Sequence, residues 1–169
     1  MWHTEPSSSR ASLRSPFKRM FFHAAVALLL SPGALVASTA PSTVTVYKSP
    51  YCGCCKHWVT HMEEAGFVLK VVETQDLATQ RRKLRMPEQL ASCHVAQVGG
   101  YALEGHVPAS EVRALLQQRP AIRGISVPGM PANAPGMGES SAAPAFNVMQ
   151  VHMDGSSSKF STWPRKPTR

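Results

Sequence analysis

Residues 43–66 read TVTVYKSPYCGCCKHWVTHMEEAG, from Thr43 to Gly66. Thr and Val alternate over Thr43–Lys48, and β-branched residues at period two specify a pleated strand. Ser49-Pro50-Tyr51 breaks it. From about Cys54 the spacing turns helical: Trp58, Met62 and Ala65 share one apolar stripe, and Gly66 is a natural C-terminal stop. Cys52, Cys54 and Cys55 thus sit where a strand runs into a helix. Three such close thiols cannot all pair with one another, because a disulfide needs a partner at suitable geometry. Some of the sulfur is free, transiently paired or metal-bound.

The chain downstream supplies the rest of the fold. Phe67–Val72 (FVLKVV) reads as a second strand, and Leu77–Met86 as a short helix ended by Pro87. Glu88–Ser92 adds a turn. Val95–Val98, the Gly99-Gly100 turn and Tyr101–Leu103 form a β-hairpin. A helix beginning at Pro108 carries Val112, Leu115 and Leu116 and ends before Pro120. Strand, helix, strand, helix, hairpin, helix is an α/β order. It predicts a thioredoxin-like mixed sheet flanked by helices. From Arg119 to Ala145 the composition shifts to Pro, Gly, Ala, Ser and Met. This is an irregular C-terminal loop with two Pro-Gly-Met triplets, Pro128-Gly129-Met130 and Pro135-Gly136-Met137. Phe146–His152 and Lys159–Trp163, on either side of Asp154-Gly155, predict a β-hairpin extension. The basic run Arg81, Arg82, Lys83, Arg85 reads as a solvated helix face.

At 169 residues and a net charge of +8, the chain is one domain's length with a basic balance. Much of that balance sits outside the domain. Arg10, Arg14, Lys18 and Arg19 precede an apolar run, Met20–Leu30, interrupted only by His23. Small residues follow at Ala34, Ala37, Ser38 and Ala40. A positive start, a short apolar core and small residues make a secretory signal over 1–38. The apolar run is shorter than the roughly 20 residues a transmembrane helix needs, so no stable membrane insertion is expected after cleavage. The domain is expected at 42–163, with a flexible tail at 164–169. No basic–aromatic interleaving of a nucleic-acid surface is present.

Export gives the cysteine cluster its meaning, because exposed thiols outside the cytoplasm oxidise unless metal or reductant protects them. Cys52 and Cys55 have C-x-x-C spacing at a helix N-terminus, where unpaired N–H groups favour thiolate. That suits a redox nucleophile and a metal ligand alike. Cys54 would invite scrambling in a dithiol enzyme, but it supplies a third donor to a metal. Thioredoxin-like oxidoreductases place a cis-proline before the hairpin. The matching segment here is Ser92-Cys93-His94-Val95, so on this fold Cys93 faces the Cys52–Cys55 turn. Four crowded thiolates suit Cu(I), as one ion or several, better than Zn(II) with its paired arms. His94, His106 and Met130 are the further candidate ligands. Met137 is offered on the same grounds as Met130, His57 and His61 read as structural or solvated, and Met62 reads as core.

TVYKSPYCGCCKHWVTHMEEAGF, SCHVAQVGGYALEGHVPASEVRALL and GISVPGMPANAPGM together closely resemble a bacterial family of exported CopG-like copper-resistance proteins. That family was long annotated only as a domain of unknown function. The resemblance spans about Val44–Val151 and departs at the Ser/Ala-rich Glu139–Ala143. It implies a thioredoxin-like fold and a copper site matching Cys52, Cys54, Cys55 and Cys93. It also implies storage, transfer or Cu(I)/Cu(II) interconversion beside other periplasmic copper-handling proteins. The expectation is a periplasmic copper-binding protein, in enzymatic form a copper-dependent oxidoreductase. The alternative is a thiol–disulfide oxidoreductase using Cys52-x-x-Cys55.

Overall fold

The computed structural model describes residues 42–138 and 144–164. The expected signal segment, the 139–143 stretch and all but the first residue of the expected tail lie outside the described residues. Seven strands and three helices follow in the order β1 (Thr43–Lys48), α1 (Gly53–Glu64), β2 (Val68–Glu73), α2 (Leu77–Lys83), β3 (His94–Val98), β4 (Tyr101–Glu104), α3 (Ala109–Gln118), β5 (Gly124–Ser126), β6 (Phe146–Val151) and β7 (Ser157–Trp163). A 3₁₀ turn, Glu88–Leu90, precedes β3.

The strands form one open sheet in the order β2-β1-β3-β4-β5-β6-β7. β1 pairs parallel with β2 across the α1 crossover and antiparallel with β3, setting Lys48 opposite His94. β3 and β4 form the Gly99-Gly100 hairpin, and β4 runs parallel to β5. This mixed, helix-flanked sheet is the expected α/β architecture and is consistent with the thioredoxin-like description. The C-terminal hairpin, β6–β7, extends the same sheet through β5.

Alternation in β1 divides the packing. Val44, Val46 and Lys48 are buried, with Val44 and Val46 in the larger core beside Trp58 and Met62 of α1 and Val112 and Leu115 of α3. Tyr47 turns the other way, to Met86, Val95, Leu84 and Leu90 beneath α2. The Trp58 indole N–H donates to the Val107 carbonyl at 2.9 Å, so its polar atom is satisfied at full burial. Truncating such a residue costs about 3–5 kcal/mol.

Three details differ from the sequence reading. The helix over Leu77–Met86 ends earlier, at Lys83. Arg85 adopts φ +55°, while Arg85 N–H and Met86 N–H bond back to the Arg82 and Arg81 carbonyls. That is a Schellman-type stop, reached before Pro87 can act. Gly124–Ser126, read as irregular, is a strand. It is three residues long, and its Gly124 has no room for a Cβ, which would lie 2.0 Å from the Ala102 carbonyl oxygen. Arg81, read as solvated, is 5% exposed. It lies in helical phase with Leu77 and Leu84, on the inward stripe of α2.

Candidate metal centre

The end of β1 delivers the cluster. The Cys52 N–H bonds the Ser49 carbonyl at 3.1 Å, and Cys52 becomes the N-cap of α1. Cys54 and Cys55 then occupy the first turn, where N–H groups have no intrahelical partner and the helix dipole favours negative charge. Cys52 and Cys55 are joined as a disulfide, and Cys54 and Cys93 are free thiols. Each disulfide sulfur has a free neighbour: Cys54 Sγ lies 3.5 Å from Cys52 Sγ, and Cys93 Sγ lies 3.5 Å from Cys55 Sγ.

Cys93 arrives from the segment just before β3, and the imidazoles arrive with the hairpin. His94 is the first residue of β3, and His106 follows β4. Cys93 Sγ lies 3.0 Å from His106 Nε2 and 3.5 Å from His94 Nδ1. His106 Nδ1 donates to the Pro135 carbonyl at 2.7 Å. In the neutral ring that bond leaves Nε2 unprotonated and aimed at Cys93, the arrangement by which an outer partner fixes a metal-binding histidine. His94 is fully buried, with its ring 4.4 Å from Trp58 and 5.1 Å from His106 between centroids. Its Nε2 is buried without a hydrogen-bond partner.

Two overlapping donor groups result, Cys52, Cys54, Cys55, Cys93 and Cys55, Cys93, His94, His106, each with its ligand atoms within 4.8 Å of one another. The second group brings the candidates His94 and His106 to Cys55 and Cys93. Burial sets the protonation. It pushes the Cys93 thiol up to about 12, with Cys54 adding to the rise. It also holds His94 well below the ordinary imidazole value, helped by His106 and Lys48, and lowers His106 as well. The pocket therefore resists charge until a cation is present. Soft sulfur donors, neutral imidazoles and an unpartnered buried nitrogen fit a soft or borderline metal ion. Cys52 and Cys55 become ligands only after reduction, since a thiolate is the binding form.

The other candidates fare differently. Met130 is 55% exposed on the surface after Gly129. His61 Nε2 accepts the Ala109 N–H at 3.1 Å, satisfying the start of α3, so it is structural. Sequence reasoning missed the supports. Gly136, at φ +86°, presses the loop onto α1 where a Cβ would lie 2.6 Å from Trp58 N and 2.9 Å from the Cys54 carbonyl oxygen. Arg81 and Glu104 form a buried fork, Nε to Oε2 and NH2 to Oε1, both at 2.9 Å. Burial pushes the Glu104 carboxyl up, and the Arg81 fork and the Ser92 N–H oppose it. Helical phase was the signal for Arg81, and the Pro-Gly-Met repetition was the signal for Gly136.

The family described as a protein of unknown function, DUF411, matches residues 90–137, the stretch holding Cys93, His94, His106 and both Pro-Gly-Met triplets. No curated protein matches the chain. Among solved structures, the chain is similar to "Copper resistance protein copG" in form 2, with 33% identity and a TM-score of 0.70 over 74% of this chain and 100% of that chain. For form 1 the values are 32%, 0.69, 75% and 100%.

Proposed function

The chain belongs to the CopG copper-resistance family; from that membership and the donor set we propose that it is an exported, periplasmic copper-binding protein of copper resistance. Cys52, Cys54, Cys55 and Cys93 hold Cu(I), as one ion or as a multinuclear thiolate cluster, with His106 and His94 on the inner side. Met130 is the remaining, peripheral donor. The single observation that carries this reading is the convergence of four sulfurs and two neutral imidazoles from three separate chain segments. Copper when bound would supply one-electron Cu(I)/Cu(II) chemistry. The protein's part is to gather thiolates, fix the His106 tautomer through Pro135 and exclude water around His94. Residues 1–38 would direct export, 42–163 would form the binding domain, and 164–169 a flexible tail. Other periplasmic copper-handling proteins would be its exchange partners.

Metal analysis of protein purified anaerobically from copper-supplemented cells tests this reading. Copper with mainly sulfur neighbours by X-ray absorption is expected; zinc, or no bound metal, would overturn it. Mass spectrometry of periplasmic material should find a mature start between Ser38 and Pro41, and finding only the intact chain in membranes would rule out cleavage. A second reading, a thiol–disulfide oxidoreductase, is favoured by one observation, the Cys52–Cys55 disulfide at a helix N-terminus. Robust insulin reduction that survives Cys54→Ser, but not Cys52→Ser, would establish it in place of the first.

A further inference from the structure

We infer that the buried Arg81–Glu104 pair is a positioning device that sets the height of Cys93 in the site. The inference rests on the reading of Cys93 as a metal ligand. Cys93 belongs to an extended segment between the 3₁₀ turn and β3, where the sheet ladder does not yet satisfy the backbone. Ser92, its neighbour, is held on both backbone groups by the pair. The Ser92 N–H donates to Glu104 Oε1 at 2.7 Å, and Arg81 NH2 donates to the Ser92 carbonyl at 3.0 Å. The fork between the two side chains leaves neither free to drift. On its other flank the Ser92 hydroxyl donates to the Gly129 carbonyl, and Gly129 N–H reaches the Ala91 carbonyl at 3.2 Å.

The fold also makes room for this segment. Gly105 has φ +72°, and a Cβ there would lie 2.5 Å from Ser92 Oγ and 2.7 Å from the Val127 carbonyl oxygen. The loop carrying His106 therefore approaches the loop carrying Cys93 more closely than a side chain would permit. Glu104 has no solvent exposure and the Arg81 side chain is 6% exposed. Two charges buried so deeply are a poor way to gain stability, because packed apolar residues commonly do as well or better. What apolar residues cannot do is bond both the N–H and the carbonyl of Ser92. The pair's distinctive product is geometric. It fixes the residue before Cys93, whose sulfur meets His106 at 3.0 Å and Cys55 at 3.5 Å.

The test separates geometry from stability. The double variant Arg81→Met/Glu104→Leu replaces the pair with apolar residues, Glu104→Gln keeps the shape with a weaker fork, and Arg81→Lys keeps the charge without the fork. In the reduced, metal-free full chain, iodoacetamide alkylation of Cys93 is read against Cys54 by peptide mass. Thermal midpoints and Cu(I) competition against a chromophoric chelator are read alongside. Cys93 alkylation should rise about tenfold in the double variant, the scale of losing one hydrogen bond to a charged group. Cu(I) affinity should fall about 10–100-fold, as for other outer partners of metal ligands. Arg81→Lys should fall between wild type and the double variant on both readouts. If the double variant does not fold, Glu104→Gln carries the test through the same alkylation ratio. An unchanged ratio and affinity in a folded variant would overturn the positioning role. A wild type that binds no Cu(I), with the alkylation ratio still responding, would instead overturn the copper reading and leave the positioning role standing.

Discussion

Replacing Gly136 by alanine should damage the site from the outside, through a residue that holds no metal. Gly136 lies at φ +86°, and the added Cβ would sit 2.6 Å from Trp58 N and 2.9 Å from the Cys54 carbonyl oxygen. Both obstacles are α1 backbone, so the loop must retreat. Placing an L-residue in the left-handed region costs about 1–2 kcal/mol, and overlap with well-packed neighbours adds about 1–3 kcal/mol. A total of about 2–5 kcal/mol is a large share of the roughly 5–15 kcal/mol that holds a domain together. Retreat also carries the Pro135 carbonyl away from His106 Nδ1, breaking the 2.7 Å bond that fixes the tautomer. Cu(I) affinity should then fall about 10–100-fold. Urea unfolding of the reduced apo-protein and Cu(I) competition measure the two effects separately. Gly155→Ala is the control: its φ is +89°, but nothing lies within 4 Å of the added Cβ. It should show the backbone cost alone and bind copper normally. If Gly136→Ala is no less stable than Gly155→Ala and binds Cu(I) like wild type, the loop does not support the site.

Three further outcomes are expected. Cys93→Ser should lower Cu(I) stoichiometry or affinity and remove part of the copper-induced rise in melting temperature, and His94→Ala should do so less; an unchanged sulfur count by X-ray absorption would contradict the shared site. Protein kept oxidised at Cys52–Cys55 should bind fewer Cu(I) ions than reduced protein, since two thiolates are withheld, and equal loading by metal analysis would exclude that pair as ligands. The apo-protein should weaken in acid. His61, His94 and His106 are all lowered by burial, so the unfolded chain binds the extra protons, and stability is full above about pH 6.5 and lost as the pH falls below it. Denaturation midpoints that do not change between pH 7.5 and 5 would refute this.

The elements with strong local signals were legible in the sequence. The Thr/Val alternation gave β1, the Trp58–Met62 stripe gave α1, and Gly99-Gly100 gave the hairpin. Because β3 pairs antiparallel with β1, the segment entering β3 comes to the end of β1, and this topology alone brings Cys93 to Cys55. β5 escaped notice because three residues carry no period, and its strand state comes from lying between β4 and β6. The support of His106 was not legible, because its neighbours in sequence say nothing of Pro135, 29 positions away. Arg81 stood in a run of four cations whose charge suggested solvent. Only the phase of α2 distinguishes the one that turns inward, and only Glu104 explains why it can stay there. Met130 drew attention as a soft side chain in a repeated triplet, and it lies at the surface, 55% exposed.

The protonation pattern bears on which metal the proposed site would favour. Burial pushes three of the donors toward their neutral forms: the Cys93 thiol upward, the His94 and His106 imidazoles downward. Lys48 adds to the lowering of His94 while itself lying 3.5 Å from Glu73. The Arg81 charge is already matched by Glu104. Burial penalises uncompensated negative charge at a site so placed. A single divalent ion on four thiolates would leave two negative charges behind. Monovalent ions, each matched to one thiolate, approach neutrality as they accumulate. On the proposed reading, the crowding that makes four thiols awkward for a dithiol enzyme would favour several Cu(I) ions held by Cys52, Cys54, Cys55 and Cys93, with the His94 and His106 imidazoles offering donors without adding charge.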